Sequence, residues 1–493
     1  MKRLFTLVIL LFSPLPVLRA ADTGKPNIVV ILADDLGVGD VQALNPERGK
    51  IKTPHLDRLV AAGMTFTDAH SGSSVCTPTR YGLLTGRYAW RTRLQSGVLD
   101  GGNDEPLIAD DRLTLPDLLR QNGYSTGCIG KWHLGFNSET PSSKPAKKTR
   151  GGLPVGSRIV GGPTTRGFDY FWGCSNARTM SSLIENDRVI ESIEPITMLP
   201  RLATRAVEYL GERAIEAKAD RPFFLYVPLT SPHTPILPTK EWQGKSGLGD
   251  YGDFVMQTDA AVGDILTALD RHGLSESTLV IFSSDNGCSP QAGTAKLEAA
   301  GHFASGPFRG YKADVWEGGH RVPFVARWPG IVKPASKISQ TICLGDLTAT
   351  CADLIGKKLP DNAAEDSVSF LSLLRGGDKP VRESVVHHSI NGRFAIRAGD
   401  WKLAYCSGSG GWGSPKDDEA GKQKFPDVQL YNLADDPGEQ TNLQAKYPDV
   451  VARLTAQMRQ IIAHGRSTPG AKQSNDVEVT LFKKPISSTK RTK

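Results

Sequence analysis

Residues 27–35 read NIVVILADD. Asn27 to Ala33 is an unbroken apolar, β-branched run, with no polar residue at every second position. A half-exposed strand would alternate, so this run reads as a strand buried on both faces, the kind found in α/β sheets. It stops abruptly at Asp34-Asp35. Working outward, Thr53-Pro54 offers an N-cap and first helical position. Leu56, Leu59 and Val60 form an apolar stripe there, and Gly63 is the stop. Thr114 to Asn122 reads as a second short helix. Tyr124–Ile129, Phe223–Val227, Thr278–Ser283 and Val322–Arg327 read as further strands. Asp253–His272 is the clearest amphipathic helix, closed by Gly273. Strands alternating with helices predict an α/β fold with a mainly parallel sheet covered by helices on both faces.

The pattern changes after residue 375. Ser384–Ser389, Arg393–Ala398, Trp401–Cys406 and Val428–Leu433 are four short strand candidates, and a helix follows over about 449–464. This predicts a smaller α+β domain with an antiparallel sheet. The expected division is a leader over 1–20, a catalytic domain over 22–375, a C-terminal subdomain over 376–466 and a basic, frayed tail over 467–493. Residues 137–165 lack periodicity and read as a long loop.

Composition sets the limits. Hydrophobic residues make up 39% of 493 residues and charged residues 23%, which excludes a disordered or fibrous chain. The net charge is +7. Lys2, Arg3 and Arg19 contribute +3 within residues 1–20, and residues 483–493 contribute +5, so the body between them carries −1. No polyanion-binding surface follows, and nucleic acid is not expected as a partner. The first end, an apolar run after Lys2-Arg3 broken by Pro14 and Pro16 and closing in Arg19-Ala20-Ala21, reads as a secretory signal peptide. No later run is long enough to span a membrane. Export to the periplasm or outside the cell is the expectation. Seven sparse cysteines exclude a disulfide scaffold and a zinc site, and the absence of an Asn-x-Ser/Thr sequon favours a bacterial exported protein over a glycosylated one.

Four apolar strands end in polar residues with chemistry to offer. They run into Asp34-Asp35, into Gly130-Lys131-Trp132-His133, into Ser231-Pro232-His233 and into Asp285-Asn286-Gly287. In open α/β sheets ligands bind outside the carboxyl ends of the strands, so parallel strands would gather all four clusters at one edge. Asp34, Asp35, Asp285 and Asn286 are oxygen ligands suited to Ca²⁺ or Mg²⁺. With Lys131, His133 and His233 beside them, they suggest an anionic tetrahedral substrate, phosphate or sulfate. In residues 74–86 (SVCTPTRYGLLTG), Thr77-Pro78 starts a helix that Gly86 ends. Cys76 then lies at its positive end, and Arg80 lies one turn on along the same face.

Cys76-Thr77-Pro78-Thr79-Arg80, followed by Leu83-Leu84-Thr85-Gly86-Arg87, resembles the sulfatase signature, in which the cysteine is oxidised by a maturation enzyme to Cα-formylglycine. Asn27–Gly37, Gly123–Gly135, Ser231–Pro235, Ser284–Gly287 and Gly310–Pro323 resemble further blocks of that family, over about residues 25–465. The resemblance implies an alkaline phosphatase-like large domain and a small C-terminal antiparallel sheet. It implies Asp34, Asp35, Asp285, Asn286 and the modified Cys76 as Ca²⁺ ligands. Arg80 and Lys131 would hold the hydrated aldehyde, and His133 would be the base that collapses the sulfated intermediate. His233 and Lys312 would contact sulfate and assist the leaving oxygen. One hydroxyl of the hydrate would attack sulfur, and deprotonating the other would expel sulfate.

The expected substrate is a sulfated carbohydrate, with 6-O-sulfated galactose or N-acetylgalactosamine units as the narrower expectation. Ser175 and His302 are the substrate-side candidates, and Trp316 and His320 are further pocket candidates. Gly408–Gly413 with Trp412 reads as a flexible turn, or else as a rim loop presenting an aromatic to a sugar. A phosphatase or phosphodiesterase of the same superfamily, and an inactive sulfated-glycan binder, are the alternatives.

Overall fold

The computed structural model describes residues 25–100, 104–141 and 152–483. The expected leader lies outside the described residues, as do residues 142–151 of the expected loop and 484–493 of the expected tail.

The strand Asn27–Ala33 is fully buried and sits near the middle of a 12-stranded sheet. Phe223–Pro228 pairs with it in parallel on one side and Thr278–Ser284 in parallel on the other. Ser125–Lys131 continues the parallel set beside Phe223–Pro228, and Tyr170–Cys174 follows it. Phe324–Arg327 runs antiparallel on the other flank. The period of two sorts the first strand between two cores. Ile28, Val30 and Leu32 pack with Tyr81, Leu83, Leu84, Leu115 and Leu119 on one face. Val29 and Ile31 pack on the other against Leu202, Leu210, Phe254 and Ile265. Those last four come from the helices Met198–Lys218 and Asp250–Arg271. Burial on both faces is why the run carries no polar alternation.

A four-stranded antiparallel sheet stands apart from the large one. It orders Val385–His388, Phe394–Ala398, Trp401–Ala404 and Gln429–Asn432 as neighbours. Leu454, Met458 and Ile461 of the helix Pro448–His464 cover it by packing on Phe394, Ile396, Leu403 and Leu430.

Two expectations change. The stretch expected as a long loop holds the strands Asn137–Glu139 and Arg158–Val160, which pair antiparallel at the far edge of the large sheet. Three-residue strands are too short to show a period in the sequence. The tail, expected to be frayed from 467 on, is docked as far as the described residues extend. Arg87 and Arg91 are buried and draw acceptors from it. Arg87 pairs with Asp476 at 2.9 Å and Arg91 donates to Asn475 Oδ1 at 2.7 Å.

Candidate active site

Strand register builds the site. Leu32 lies opposite Pro228 and Ser283, and Ala33 opposite Ser284. Neighbouring strands therefore end together, as parallel pairing demands. The Asp34 amide donates to Ser231 O at 2.9 Å, and the Asp285 amide to Ala33 O at 3.1 Å. Asp34, Asp35, Asp285 and Asn286 are all buried at this edge.

The helix Cys76–Thr85 points its first turn at the same place. Its approach is fixed from a distance in sequence: the Ser74 amide and the Ser73 hydroxyl both donate to His388 O, at 3.0 Å each. The C-terminal sheet thus grips the segment leading into Cys76. Arg80, one turn on, is fully buried. Its guanidinium donates to Asp285 Oδ2 at 2.8 and 3.1 Å and to Lys131 O at 3.1 Å, and lies 3.5 Å from Asp34 Oδ1.

Charge is balanced one for one. Lys131 Nζ lies 2.7 Å from Asp34, and Lys312 Nζ 2.6 Å from Asp35 and 3.4 Å from Cys76 Sγ. Burial alone would raise the Asp34 carboxyl. The charges of Lys131, Arg80 and Lys312 instead hold it well below the usual carboxylate range. Burial and the neighbouring Asp34 push Asp285 up to about 6 against the pull of Arg80. Burial pushes the Cys76 thiol up to about 12, despite Lys131 and Lys312. The unmodified side chain is therefore a neutral thiol and a poor nucleophile.

Both histidines are held neutral. Burial, then the charge of Lys131, keeps His133 well below its ordinary range. Its Nε2 meets Leu99 O at 2.8 Å, which makes Nε2 the protonated nitrogen. Nδ1 is left as a buried lone pair with no hydrogen-bond partner among the described residues. Burial and Lys312 lower His233 to about 4. Its Nδ1 faces Thr234 O, and its Nε2 faces Asp35 Oδ2 at 3.7 Å. His133 and Asp35 also adopt left-handed backbone conformations, φ +56° and +68°. Such positions cost roughly 1–3 kcal/mol and persist where surrounding structure enforces them.

The residues present fit a hard cation. Asp34 Oδ1 and Asn286 Oδ1 are buried oxygens without hydrogen-bond partners among the described residues. Asp34, Asp35, Cys76 and His233 each offer a ligand atom, all within 4.8 Å of one another. Oxygen donors of this kind suit Ca²⁺ or Mg²⁺.

The fold gathers Asp34, Asp35, Cys76, Arg80, Lys131, His133, His233, Asp285, Asn286 and Lys312. Ser175 lies at the margin. Its carbonyl accepts from the His133 amide at 2.7 Å, and its hydroxyl pairs with Thr179. His302 is not a substrate residue. It is fully buried, donates from Nε2 to Asp40 at 2.8 Å and accepts the Lys50 amide at Nδ1. Asp40 in turn accepts from the Gly37 amide and the Tyr251 hydroxyl, so His302 braces the loop beyond Asp35. Trp316 and His320 are buried where the two sheets meet. Trp316 donates to Gln429 at 3.1 Å, and His320 Nε2 lies 3.0 Å from Lys402 Nζ. Sequence reading missed Leu99 O and His388 O. Both act through backbone atoms, which leave no residue signature.

The sequence model of the sulfatase family matches residues 26–357, and that of the C-terminal region of aryl-sulfatase matches residues 381–489. The chain is 33% identical over 487 residues to the N-acetylgalactosamine-6-O-sulfatase of Bacteroides thetaiotaomicron, covering 87% of this chain and 92% of that one. It is 35% identical to arylsulfatase A of Homo sapiens, covering 85% and 83%. A solved structure from work on the metabolism of multiple glycosaminoglycans by Bacteroides thetaiotaomicron superposes with a TM-score of 0.77 at 30% identity, covering 89% of this chain and 99% of that one. With these matches spanning both sheets and the strand-end site between them, the chain belongs to the sulfatase family, enzymes that hydrolyse sulfate esters.

Proposed function

We propose that the protein is an exported, calcium-dependent sulfatase acting on sulfated carbohydrate, with 6-O-sulfated galactose or N-acetylgalactosamine as the preferred unit. The observation that carries this reading is the placement of Cys76 at a helix start, 3.4 Å from Lys312 and one turn from Arg80, beside three buried carboxylates. The similarity to an N-acetylgalactosamine-6-O-sulfatase supports the choice of sugar. A bacterial, periplasmic or secreted setting agrees with the N-terminal sequence, and no helix among the described residues is long and apolar enough to cross a membrane.

Asp34, Asp35, Asp285 and Asn286, with the modified residue 76, would hold Ca²⁺, which supplies positive charge for the sulfuryl oxygens. Oxidised by a maturation enzyme to formylglycine, residue 76 supplies a hydrated aldehyde that can attack sulfur and later release sulfate by elimination. The chain's own groups do the rest. Arg80 and Lys131 fix the base of the pocket through Asp285 and Asp34. Lys312 would contact the sulfate and the departing oxygen, with His233 beside it. His133 Nδ1 is an unprotonated acceptor, unpaired among the described residues and suited to take the proton whose loss frees sulfate. Preorganised cations in a buried site stabilise developing negative charge without the cost of reorientation.

The test combines the intact mass of the Cys76 peptide with a panel of defined sulfated oligosaccharides, assayed with and without a chelator. Formylglycine appears as a loss of about 18 Da from the cysteine. Cys76→Ala should lower sulfate release at least about 10³-fold. Chelation should lower both activity and melting temperature, with Ca²⁺ restoring both. Near-wild-type turnover by Cys76→Ala, or cleavage confined to non-carbohydrate esters, would overturn the reading.

A further inference from the structure

Residues 407–413 read SGSGGWG, the composition of a flexible turn. The structure shows a docked loop instead. Asp314 Oδ1 accepts the amides of Trp412 and Gly413, at 3.0 and 2.7 Å. The Val315 amide donates to Ser409 O at 2.8 Å. The Ser409 hydroxyl closes the loop on Gly413 O at 2.8 Å, and the Ser389 hydroxyl holds Gly410 O at 2.6 Å. The glycines are there for close approach. A Cβ on Gly411 would lie 2.1 Å from Ala313 O, and one on Gly413 2.5 Å from Asp314 Oδ2. The loop is thus pressed onto residues 313–315.

That anchoring segment belongs to the site. Lys312 touches Asp35 and Cys76 Sγ, and the Ala313 amide donates to Ser74 O at 2.8 Å, two residues before Cys76. A single exposed apolar side chain is ordinary on a protein surface. What sets Trp412 apart is where its backbone is fastened. Trp412, Phe425 and Phe482 are the exposed Trp and Phe side chains among the described residues. Of the three, only Trp412 has its own amide bonded to the segment whose lysine contacts Cys76. The loop fixes the backbone firmly, yet leaves Trp412 38% exposed.

We propose that Trp412 is a specificity-determining platform at the rim of the sulfate pocket, stacking against the C–H face of a pyranose ring of the substrate. An indole offers a broad face with negative π density, and the axial C–H bonds of a pyranose carry the complementary slight positive charge. Galacto-configured rings suit it best, because their axial 4-hydroxyl leaves the opposite face apolar. A rigid aromatic loses little conformational entropy on binding, and the loop's docking has already met that cost. The proposal rests on the carbohydrate reading of the substrate, and deepens it.

The test compares Trp412→Ala, Trp412→Phe and the wild type on a 6-O-sulfated galactosaminyl oligosaccharide and on a small aryl sulfate. For Trp412→Ala, KM for the oligosaccharide should rise about tenfold with kcat nearly unchanged. Trp412→Phe should recover most of the loss. Aryl sulfate turnover and melting temperature should match the wild type. An unchanged oligosaccharide KM overturns the platform. So does an equal loss on both substrates, which would make the loop a structural part of the site. A wild type that cleaves the aryl ester but no sulfated oligosaccharide defeats the carbohydrate reading itself, and the platform falls with it.

Discussion

His133 shows how one side chain can be fixed in one protonation state and one direction. Burial and the charge of Lys131 keep the imidazole neutral, and Leu99 O takes its single proton at Nε2. Nδ1 remains as an acceptor with nothing to accept from among the described residues. His133→Ala should therefore reduce kcat by about 10²–10⁴-fold, the usual worth of a positioned base, with a smaller effect on KM. Steady-state kinetics on an aryl sulfate checks this, and a loss confined to KM would assign His133 to binding alone. The residue types of the site were legible in the sequence, because apolar runs stopped abruptly at Asp34, Lys131, His233 and Asp285. The tautomer of His133 was not, because a main-chain carbonyl sets it. His302 was misread for a related reason. A buried histidine that braces a loop and one that faces substrate have the same composition around them, and only the Asp40 and Lys50 contacts tell them apart.

The junction between the two sheets rests on a buried lysine. Lys402, on the strand Trp401–Ala404, ion-pairs with Glu317 at 3.0 Å and Glu439 at 2.8 Å, and lies 3.0 Å from His320 Nε2. All four side chains are fully enclosed. His320 Nε2 also lies 3.1 Å from Val315 O, and its Nδ1 lies 3.1 Å from His70 Nδ1. His70 donates from Nε2 to Asp68. Removing one partner of a buried ion cluster leaves charge uncompensated. Lys402→Met should destabilise the protein by about 3–5 kcal/mol in urea titrations, and adding Glu439→Gln should recover part of it. Equal stability of Lys402→Met and wild type would show that the cluster contributes nothing net. The strands on either side of this junction were visible as periodic segments. The junction was not, because its members lie up to 371 positions apart, from Asp68 to Glu439, and nothing local links them.

Acid sensitivity follows from how many histidines the fold buries uncharged. His388 is a clear case: burial, with the charge of Lys483 nearby, holds it down to about 3 from an ordinary 6.5. Above pH 6.5 neither folded nor unfolded chain protonates it, and it has no effect on stability. As pH falls from 6.5 to 3, the unfolded chain takes up a proton that the folded chain refuses. Stability is lost over that window at about 1.4 kcal/mol per pH unit for this residue. His388→Phe, which keeps a ring in the same space, should flatten the decline of the urea midpoint between pH 7 and pH 4.5. Parallel declines in the two proteins would refute the assignment. The α/β character and the break near residue 375 were readable from periodicity. The docking of residues 467–483 was not, since its partners are the buried guanidiniums of Arg87 and Arg91, nearly four hundred residues earlier.

That His388 strand also sets an order of events in time. Its carbonyl closes on Ser73 and Ser74 only after most of the chain has been made, and once it has closed, Cys76 is 2% exposed. On the maturation proposed above, an oxidising enzyme would have to reach Cys76 before this hold closes. The hold that makes the finished site rigid therefore acts as a deadline: a chain that folds before it is oxidised has sealed its own thiol inside.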